Sequence, residues 1–429
     1  MVIKQDIYTM KNKNHFILII LATIALAAAF GAFIGKETSL FNIPIYLFLD
    51  LFGKLFINAL MLVVVPLVAS SIIIGISKIG KDEAFKRIGS KTLGIFLGFN
   101  FIAILVGAIV FRLFIPFLKN QIASNPHLSN QVATLENKAL TEPFSFFELI
   151  KKIIPSNLFQ ALSTTEMLGI IFFSLLFGYC LSKSKSESHR IVEQFFNGIF
   201  DVMLKITQLI MKTLPIGVFC LVAKSIALSG LDTLKNLSFF GLIVLIATLI
   251  HLFVSIPLFL KFFGKASTSK FYKAIFPAIT TAFSTTSSSA TLPVTLSCLE
   301  NRAKVSNKIA SLVAPLATSL NMSGSALFAY VAAAFIALHY QVDLTFSMQI
   351  MLILVTLFAS LGIAGVPAAA LIGVIIILKS LNIPAESIGI IIAIDRFMDM
   401  IRSSANAATG AASAVIIAKS EKETKVLEE

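Results

Sequence analysis

The chain has 429 residues, 57% of them hydrophobic and only 13% charged, with a mean hydropathy of +0.91; a soluble domain carries roughly 25% charged residues, so an ordinary water-soluble enzyme or binding module is excluded. A formal net charge of +13 would fit nucleic acid if the basic residues formed one patch. Instead they fall between apolar stretches, as lysines do at the cytoplasmic ends of membrane helices.

The first apolar stretch, Phe16 to Gly35, has no charged residue, and a hydrocarbon core of about 30 Å takes about 20 helical residues to cross. Lys11 and Lys13 ahead of it, with Ala27-Ala28-Ala29 inside it, also fit a secretory signal. The stretches at 55–77, 93–118, 153–181, 197–228 and 237–260 predict an all-α polytopic membrane protein under either reading. Pro66, Pro155 and Pro215 are candidate kinks, and a polar connection runs from Lys119 to Pro143 on the outside. Lys4, Lys11 and Lys13 precede helix 1; Lys78, Lys81, Lys86, Arg87 and Lys91 separate helices 2 and 3; Lys183, Lys185 and Arg190 separate 4 and 5. Lys261, Lys265, Lys270 and Lys273 follow helix 6, and Lys419, Lys422 and Lys425 close the chain, so both termini are expected in the cytoplasm.

Cys180, Cys220 and Cys298 lie scattered through apolar segments, without the spacing of a metal site or an even disulfide framework, and read as packing residues. Of the five histidines only His251 stands well inside an apolar stretch. An ionisable group there is a functional candidate by default, here as a proton carrier.

From about residue 267 the apolar runs shorten and are broken by small polar residues, Gly or Pro. Thr285-Thr286-Ser287-Ser288-Ser289-Ala290-Thr291-Leu292-Pro293 and Ser360-Leu361-Gly362-Ile363-Ala364-Gly365-Val366-Pro367 are alike, and each precedes a longer helix with its own polar break. Backbone that leaves the helix at membrane depth must be buried in protein or line a watery cavity. Two such segments in corresponding places mark an inverted repeat with its binding site at the repeat interface; two kinked helices are the plainer alternative. A third break, Asn321-Met322-Ser323-Gly324-Ser325, lowers helix propensity, and an unwound turn here would free carbonyl oxygens for a cation. Half-helix N-termini suit a carboxylate instead.

The last span, Ile388 to Ala418, contains Asp395, Arg396, Asp399 and Arg402. Each would cost about 2.5 to 3.5 kcal/mol unpaired at the bilayer centre, so they must face protein or water. Asp395, Asp399, Arg402 and Asn406 follow the spacing i, i+4, i+7, i+11 and share one narrow stripe; Arg396 points about a quarter turn away. Carboxylate, carboxylate, guanidinium and amide complement a zwitterion with an extra carboxylate. Arg402 can hold that carboxylate with its planar fork, and Asp399 suits an ammonium. An Asp-Arg pair that only holds the bundle together is the structural alternative.

Ser287-Ser288-Ser289-Ala290-Thr291-Leu292-Pro293, Asn321-Met322-Ser323-Gly324-Ser325, Ala364-Gly365-Val366-Pro367 and Asp395-Arg396-Phe397-Met398-Asp399-Met400-Ile401-Arg402 together resemble the motifs of the dicarboxylate/amino acid:cation symporter family, the glutamate transporters, over about residues 16 to 420. The resemblance implies eight transmembrane helices, two re-entrant helical hairpins centred near 289 and 365, a homotrimer in the lipid bilayer, and an elevator-like movement. It divides the chain into a cytoplasmic segment (1–15), helices 1–6 (16–262), of which helices 3 and 6 join the moving unit, a transport core (267–418) and a cytoplasmic tail (419–429). It further implies that Ser288 and Ser289 lie over the substrate at the first tip and that Val366 gates the second. Asp399 would take the amino group, Arg402 the side-chain carboxylate and Asn406 the α-carboxylate, with Ser325 and Ser403 lining the pocket and Asp395 and Arg396 as supporting charge.

Arginine at 402 together with aspartate at 399 favours glutamate or aspartate over neutral amino acids or plain C4-dicarboxylates. The coupling ion departs from the family pattern. The usual Asn-Met-Asp-Gly-Thr reads Asn321-Met322-Ser323-Gly324-Ser325, and the usual Asn-x-x-Gly-Asp reads Asn406-Ala407-Ala408-Thr409-Gly410, so two sodium-binding carboxylates are replaced. Phe96-Leu97-Gly98-Phe99-Asn100 stands where relatives have Tyr-x-x-Thr-Ser, and Leu327-Phe328-Ala329 lacks a proton-handling glutamate. Thr286 stands where several relatives have arginine, with Arg396 as a substitute charge. Carbonyls and side chains of Ala317, Ser319, Asn321, Ser360, Leu361, Ile363 and Asn406 remain for one cation. The expectation is a plasma-membrane symporter, in the bacterial inner membrane, coupled to protons or a reduced set of sodium ions, with no cofactor and no nucleic-acid partner. The proton carriers considered are Asp395, Asp399 and His251. A C4-dicarboxylate symporter or an uncoupled exchanger of the same fold is the alternative. A hydrolase is disfavoured, since a serine nucleophile needs a base and neither tip contains a histidine.

Overall fold

The computed structural model describes residues 22–427, apart from 36–37, 41–42, 78–82, 124–153, 165–166, 184–186, 230–231, 341, 343, 364–368 and 382. Most of the expected outer connection Lys119 to Pro143 and the second tip with Val366 therefore lie outside the described residues, as do the charges preceding the first helix.

The described chain is almost wholly helical. Helix α1 (22–34) is followed by a two-residue antiparallel pairing of β1 (Ser39–Leu40) with β2 (Ile43–Pro44), and then by α2 (Ile45–Ser77) and α3 (Glu83–Ala123). The stretch expected at 153–181 is two helices, α4 (Leu158–Thr164) and α5 (Met167–Lys183). Pro155 precedes α4 rather than kinking it, and Asn157 Oδ1 caps α4 by accepting the N–H groups of Phe159 and Gln160 at 2.9 and 3.2 Å. The stretch expected at 197–228 is also divided. Helix α6 (Glu187–Lys212) meets α7 (Leu214–Ser229) at a 55° bend, where Pro215 brings no N–H to continue the ladder. The amphipathic α6 packs on α2, as do α5 and α7.

Helix α8 (Asp232–Ile250) runs through a π-helical turn, His251–Ser255, into α9 (Ile256–Gly264). Next come α10 (Thr268–Thr285), α11 (Ser288–Ser297), α12 (Asn307–Leu320), α13 (Ser323–His339), α14 (Phe346–Ser360) and α15 (Ala369–Ser380). A short 3-10 turn, Ala385–Ile390, leads into α16 (Ile392–Ser420). Among the described residues four helices are long and apolar enough to cross a membrane, five with the bent pair as one span. Several shorter apolar helices stand beside them, and the chain is a multi-pass membrane protein.

Every residue of α13 is buried, as expected of a helix apolar all round. It is enclosed by α3, α8, α14, α15 and α16, and Phe240 packs against both Phe328 and Phe335. A second apolar cluster joins α10, α12 and the small-residue end of α16, including Ala405, Ala408, Ala411 and Ala412. Alanine at these positions lets helices approach closely in lipid, where packing and hydrogen bonds drive association.

Candidate functional site

Helix α10 is capped by Thr286, whose φ of +52° is left-handed, and the chain reverses into α11. Ser287 is extended, and its Oγ accepts the N–H of Ala290 at 3.2 Å, so the tip builds its own N-cap. Thr285 and Thr291 bond through their hydroxyls at 3.1 Å. Most tip hydroxyls thus serve the local backbone. Ser288 differs: its Oγ is buried and has no hydrogen-bond partner among the described residues. Ser289 is exposed. Both α10 and α11 pack against α16, which carries the charged stripe.

Asp395, Asp399, Arg402 and Asn406 are all buried, at 4, 3, 0 and 5% exposure. Arg402 Nη1 donates to Asp395 Oδ1 at 2.7 Å and Nε to Asp399 Oδ1 at 3.0 Å. Its guanidinium also lies over the Phe328 ring, 4.3 Å from the centroid, a stacking that suits the delocalised cation. Arg396, placed a quarter turn away by helical geometry, reaches back to within 3.9 Å of Asp399 Oδ2. Two cations and two carboxylates therefore balance in one cluster, buried but for the partly exposed Arg396. Ser403 is buried beside it, while Ser404 ties α16 to α10 by donating to the Ile279 carbonyl at 3.3 Å.

At the third break only Asn321 and Met322 leave the helix. The expectation of an unwound turn through Ser325 is corrected: Ser323, Gly324 and Ser325 form the first turn of α13. They present N–H groups, not free carbonyls. The reason is a cap supplied from another helix. Asn406 Oδ1 accepts Gly324 N at 2.8 Å and Ser325 N at 3.3 Å, and Asn406 Nδ2 donates to Ser325 Oγ at 3.0 Å, satisfying donors that a helix start leaves open.

The stripe continues beyond Asn406 through Thr409 and Ser413, both fully buried. Asn321 Nδ2 donates to Ser413 Oγ at 3.1 Å, and Ser323 Oγ donates to Thr409 Oγ1 at 3.0 Å. His251 Nε2 lies 3.1 Å from Ser323 Oγ. Asn100 of α3 donates to the Leu320 carbonyl at 3.1 Å. Thr409, Ser413 and the Phe328 face were not singled out from sequence, although Thr409 and Ser413 extend the stripe at i+14 and i+18 from Asp395.

The cation candidates divide. Ala317 accepts the Asn321 N–H at 3.0 Å, and Ser360 accepts the Ile363 N–H at 3.4 Å. Ser319 is half-buried, whereas Ser360, Leu361 and Ile363 are buried. Ile363 and Ala369, flanking the undescribed second tip, cluster with Met322, so the second break meets the third. The Oδ1 atoms of Asn321 and Asn100 are buried acceptors without partners among the described residues. Gly410, which the resemblance aligns with a carboxylate of the family's usual motif, lies against α12: a Cβ there would stand 3.0 Å from Ala317 Cβ.

Residues 19–420 match the model of the sodium:dicarboxylate symporter family. The proton/sodium-glutamate symport protein of Bacillus caldotenax is 32% identical over 386 residues, covering 88% of this chain and 89% of that protein. The proton/glutamate-aspartate symporter of Escherichia coli is 32% identical over 371 residues, covering 86% and 84%. Excitatory amino acid transporter 3 of Mus musculus is 28% identical over 448 residues, covering 92% and 83%. With the match running through the broken helices and the charged stripe alike, the chain belongs to the sodium:dicarboxylate symporter family.

Proposed function

We propose that the protein is a secondary active symporter of acidic amino acids, glutamate or aspartate, in the bacterial inner membrane. The carrying observation is the buried cluster in which Arg402 bridges Asp395 and Asp399. An acidic amino acid can exchange into it group by group: its side-chain carboxylate takes the guanidinium, its ammonium takes Asp399, and Asp395 keeps Arg402 in place. Asn406 has a second Nδ2 hydrogen for the α-carboxylate, and Ser288 and Ser325 offer hydroxyls. Relatives described as glutamate and glutamate-aspartate symporters support this substrate class over C4-dicarboxylates, which have no ammonium for Asp399.

In this reading residues 267–418 are the transport core, α10–α11 and α14–α15 are re-entrant hairpins, Val366 is the outer gate, and the core slides in elevator fashion against a trimeric scaffold within 16–262. Both termini are cytoplasmic. Coupling is to protons, because hydroxyls and a histidine occupy the region where the family's motif has a carboxylate. The orphaned Oδ1 atoms of Asn100 and Asn321 favour a second reading, a single residual sodium site at the same break, since hard cations take oxygen ligands.

Uptake of labelled glutamate, aspartate and succinate by purified protein in liposomes, under imposed proton or sodium gradients, tests the assignment. Proton-driven accumulation of the amino acids is expected. Accumulation of succinate alone, or equilibration without concentration under either gradient, would overturn it.

A further inference from the structure

His251 is fully buried at the first residue of the π-helical turn, a one-residue insertion of the kind that gathers at functional sites. The turn is held from outside: Tyr272 of α10 donates its hydroxyl to the Leu252 carbonyl. The ring is therefore fixed in register with the start of α13 and tied to the first broken segment.

Proton counting along the hydroxyl chain fixes which nitrogen is basic. Thr409 donates to the Ala405 and Asn406 carbonyls at 3.0 and 3.1 Å. Ser323 then donates its only hydroxyl hydrogen to Thr409 Oγ1. Ser323 Oγ is left as an acceptor for His251, so the neutral ring carries its hydrogen on Nε2. Nδ1 is then a buried lone pair, and it has no hydrogen-bond partner among the described residues.

The π turn packs on α3 and α16 besides its own flanking helices, and Ser323 brings α13 against it. Apart from the buried Tyr330 and the half-buried Lys419 near the end of α16, the described charged and titratable groups on these elements are committed elsewhere or exposed. Lys91 of α3 pairs with Glu421, and Arg112 bonds Gln349. Asp395, Arg396, Asp399 and Arg402 of α16 pair with one another. His339 of α13 bonds the Phe335 carbonyl, Tyr330 lies two turns beyond Ser323 on that helix, and Lys261 of α9 is exposed.

We propose that His251 is the proton-binding site that couples acidic-substrate transport to the proton gradient, Nδ1 being the atom protonated and the Ser323–Thr409 hydroxyl chain its link to Asn406. This rests on the symporter reading above. The step adds one proton to Nδ1 and breaks no other bond; Nε2–H continues to donate to Ser323. A lone buried imidazolium is costly, and an entering substrate adds one net negative charge near the Asn406 cap. Each ligand offsets the other's burial, so proton and acidic substrate bind cooperatively, and the coupling is reciprocal.

The experiment measures aspartate binding to the full chain in nanodiscs, by calorimetry in buffers of different ionisation enthalpy and across pH. Wild type should take up about one proton per aspartate, with Kd rising about tenfold per pH unit above the midpoint. His251→Gln, which keeps an N–H for Ser323 but cannot take a proton, should show neither. Undiminished proton uptake in His251→Gln would overturn the inference while leaving the symporter reading intact; a wild type that binds no acidic amino acid would sink both. Should His251→Gln fail to fold, Ser323→Ala and Thr409→Val serve instead. Each should move the midpoint by at least about half a pH unit, and unchanged profiles in both would overturn the link.

Discussion

Asn406 Oδ1 accepts the backbone N–H of Gly324 at 2.8 Å, so a side chain of the last helix caps a helix 82 residues earlier. The approach is close: a Cβ on Gly324 would lie 2.6 Å from the Arg402 carbonyl oxygen and 2.9 Å from Ala405 Cβ. One amide thereby joins the helix start to the charged stripe.

Asn406→Asp separates the cap from the proposed substrate contact. It keeps the acceptor oxygen that caps α13, and a carboxylate at a helix N-terminus is favourable, but it loses the Nδ2 donors and repels an anion. Thermal stability should stay near wild type while aspartate affinity falls at least about tenfold. Gly324→Ala should do the reverse, losing about 1–3 kcal/mol of stability through overpacking. Thermal unfolding and binding isotherms on both variants check the division; tight aspartate binding by Asn406→Asp would remove the α-carboxylate contact.

The charged stripe is legible in sequence because spacing alone puts Asp395, Asp399, Arg402 and Asn406 on one helix face. Which groups pair is not. Both aspartates lie within reach of the same guanidinium, and only packing shows that Arg402 takes both while Arg396 leans back toward Asp399. Thr409 and Ser413 continue the stripe, yet among alanines a buried hydroxyl reads as a small packing residue until Ser323 and Asn321 are seen opposite. Asn100 reaches the Leu320 carbonyl across 220 residues, a contact without local signature. The split of the 197–228 stretch was signalled by Pro215, but its 55° bend depends on how α6 packs on α2.

Asp399→Asn tests the ammonium contact. The amide keeps an oxygen for Arg402, and Asp395 still pairs with the guanidinium, so the fold should survive. Loss of the carboxylate should shift competition from aspartate toward succinate by about tenfold or more, measured as inhibition of labelled uptake. An unchanged ratio would count against an ammonium partner at this position.

Arg402→Ala should abolish uptake of acidic substrates. It should also lower stability by about 3–5 kcal/mol, because two buried carboxylates lose their partner. Loss of uptake with unchanged thermal stability would mean that Asp395 and Asp399 find other partners, and retained glutamate uptake would remove the clamp.

The absent carboxylates make a gain-of-function test. Asp at 323 would stand against His251 and Thr409, whereas Asp at 410 meets Ala317, whose Cβ is 3.0 Å from the site of a new Cβ. Ser323→Asp with Gly410→Asp and Ala317→Gly should therefore accept the second carboxylate with less strain than the double variant. Sodium should then stimulate aspartate binding severalfold in the triple variant and little in wild type. Equal sodium response in the two proteins would show that Ser323 and Gly410 do not set ion preference.

The tail makes a pH-sensitive clamp. Glu421 pairs with Lys91 at 2.6 Å and with Arg87, Glu423 accepts the N–H of Ser306 at 3.0 Å, and Leu427 N donates to the Ala303 carbonyl at 2.9 Å. These bonds tie residues 421–427 to the start of α3 and to the link between α11 and α12. Lys91, and then Arg87, hold the Glu421 carboxyl below the usual carboxylate range. A depressed folded-state value stabilises above the ordinary range and is lost as pH falls through the lowered value, so the clamp should hold at neutral pH and open below about pH 4. Hydrogen exchange at the 421–427 amides should quicken over that interval, and Glu421→Gln should show the faster exchange already at pH 7. Its cost in global stability should be no more than about 1 kcal/mol, as for a partly exposed ion pair. Tail exchange that is slow and identical in Glu421→Gln and wild type would assign the clamp to Glu423 and Leu427 instead.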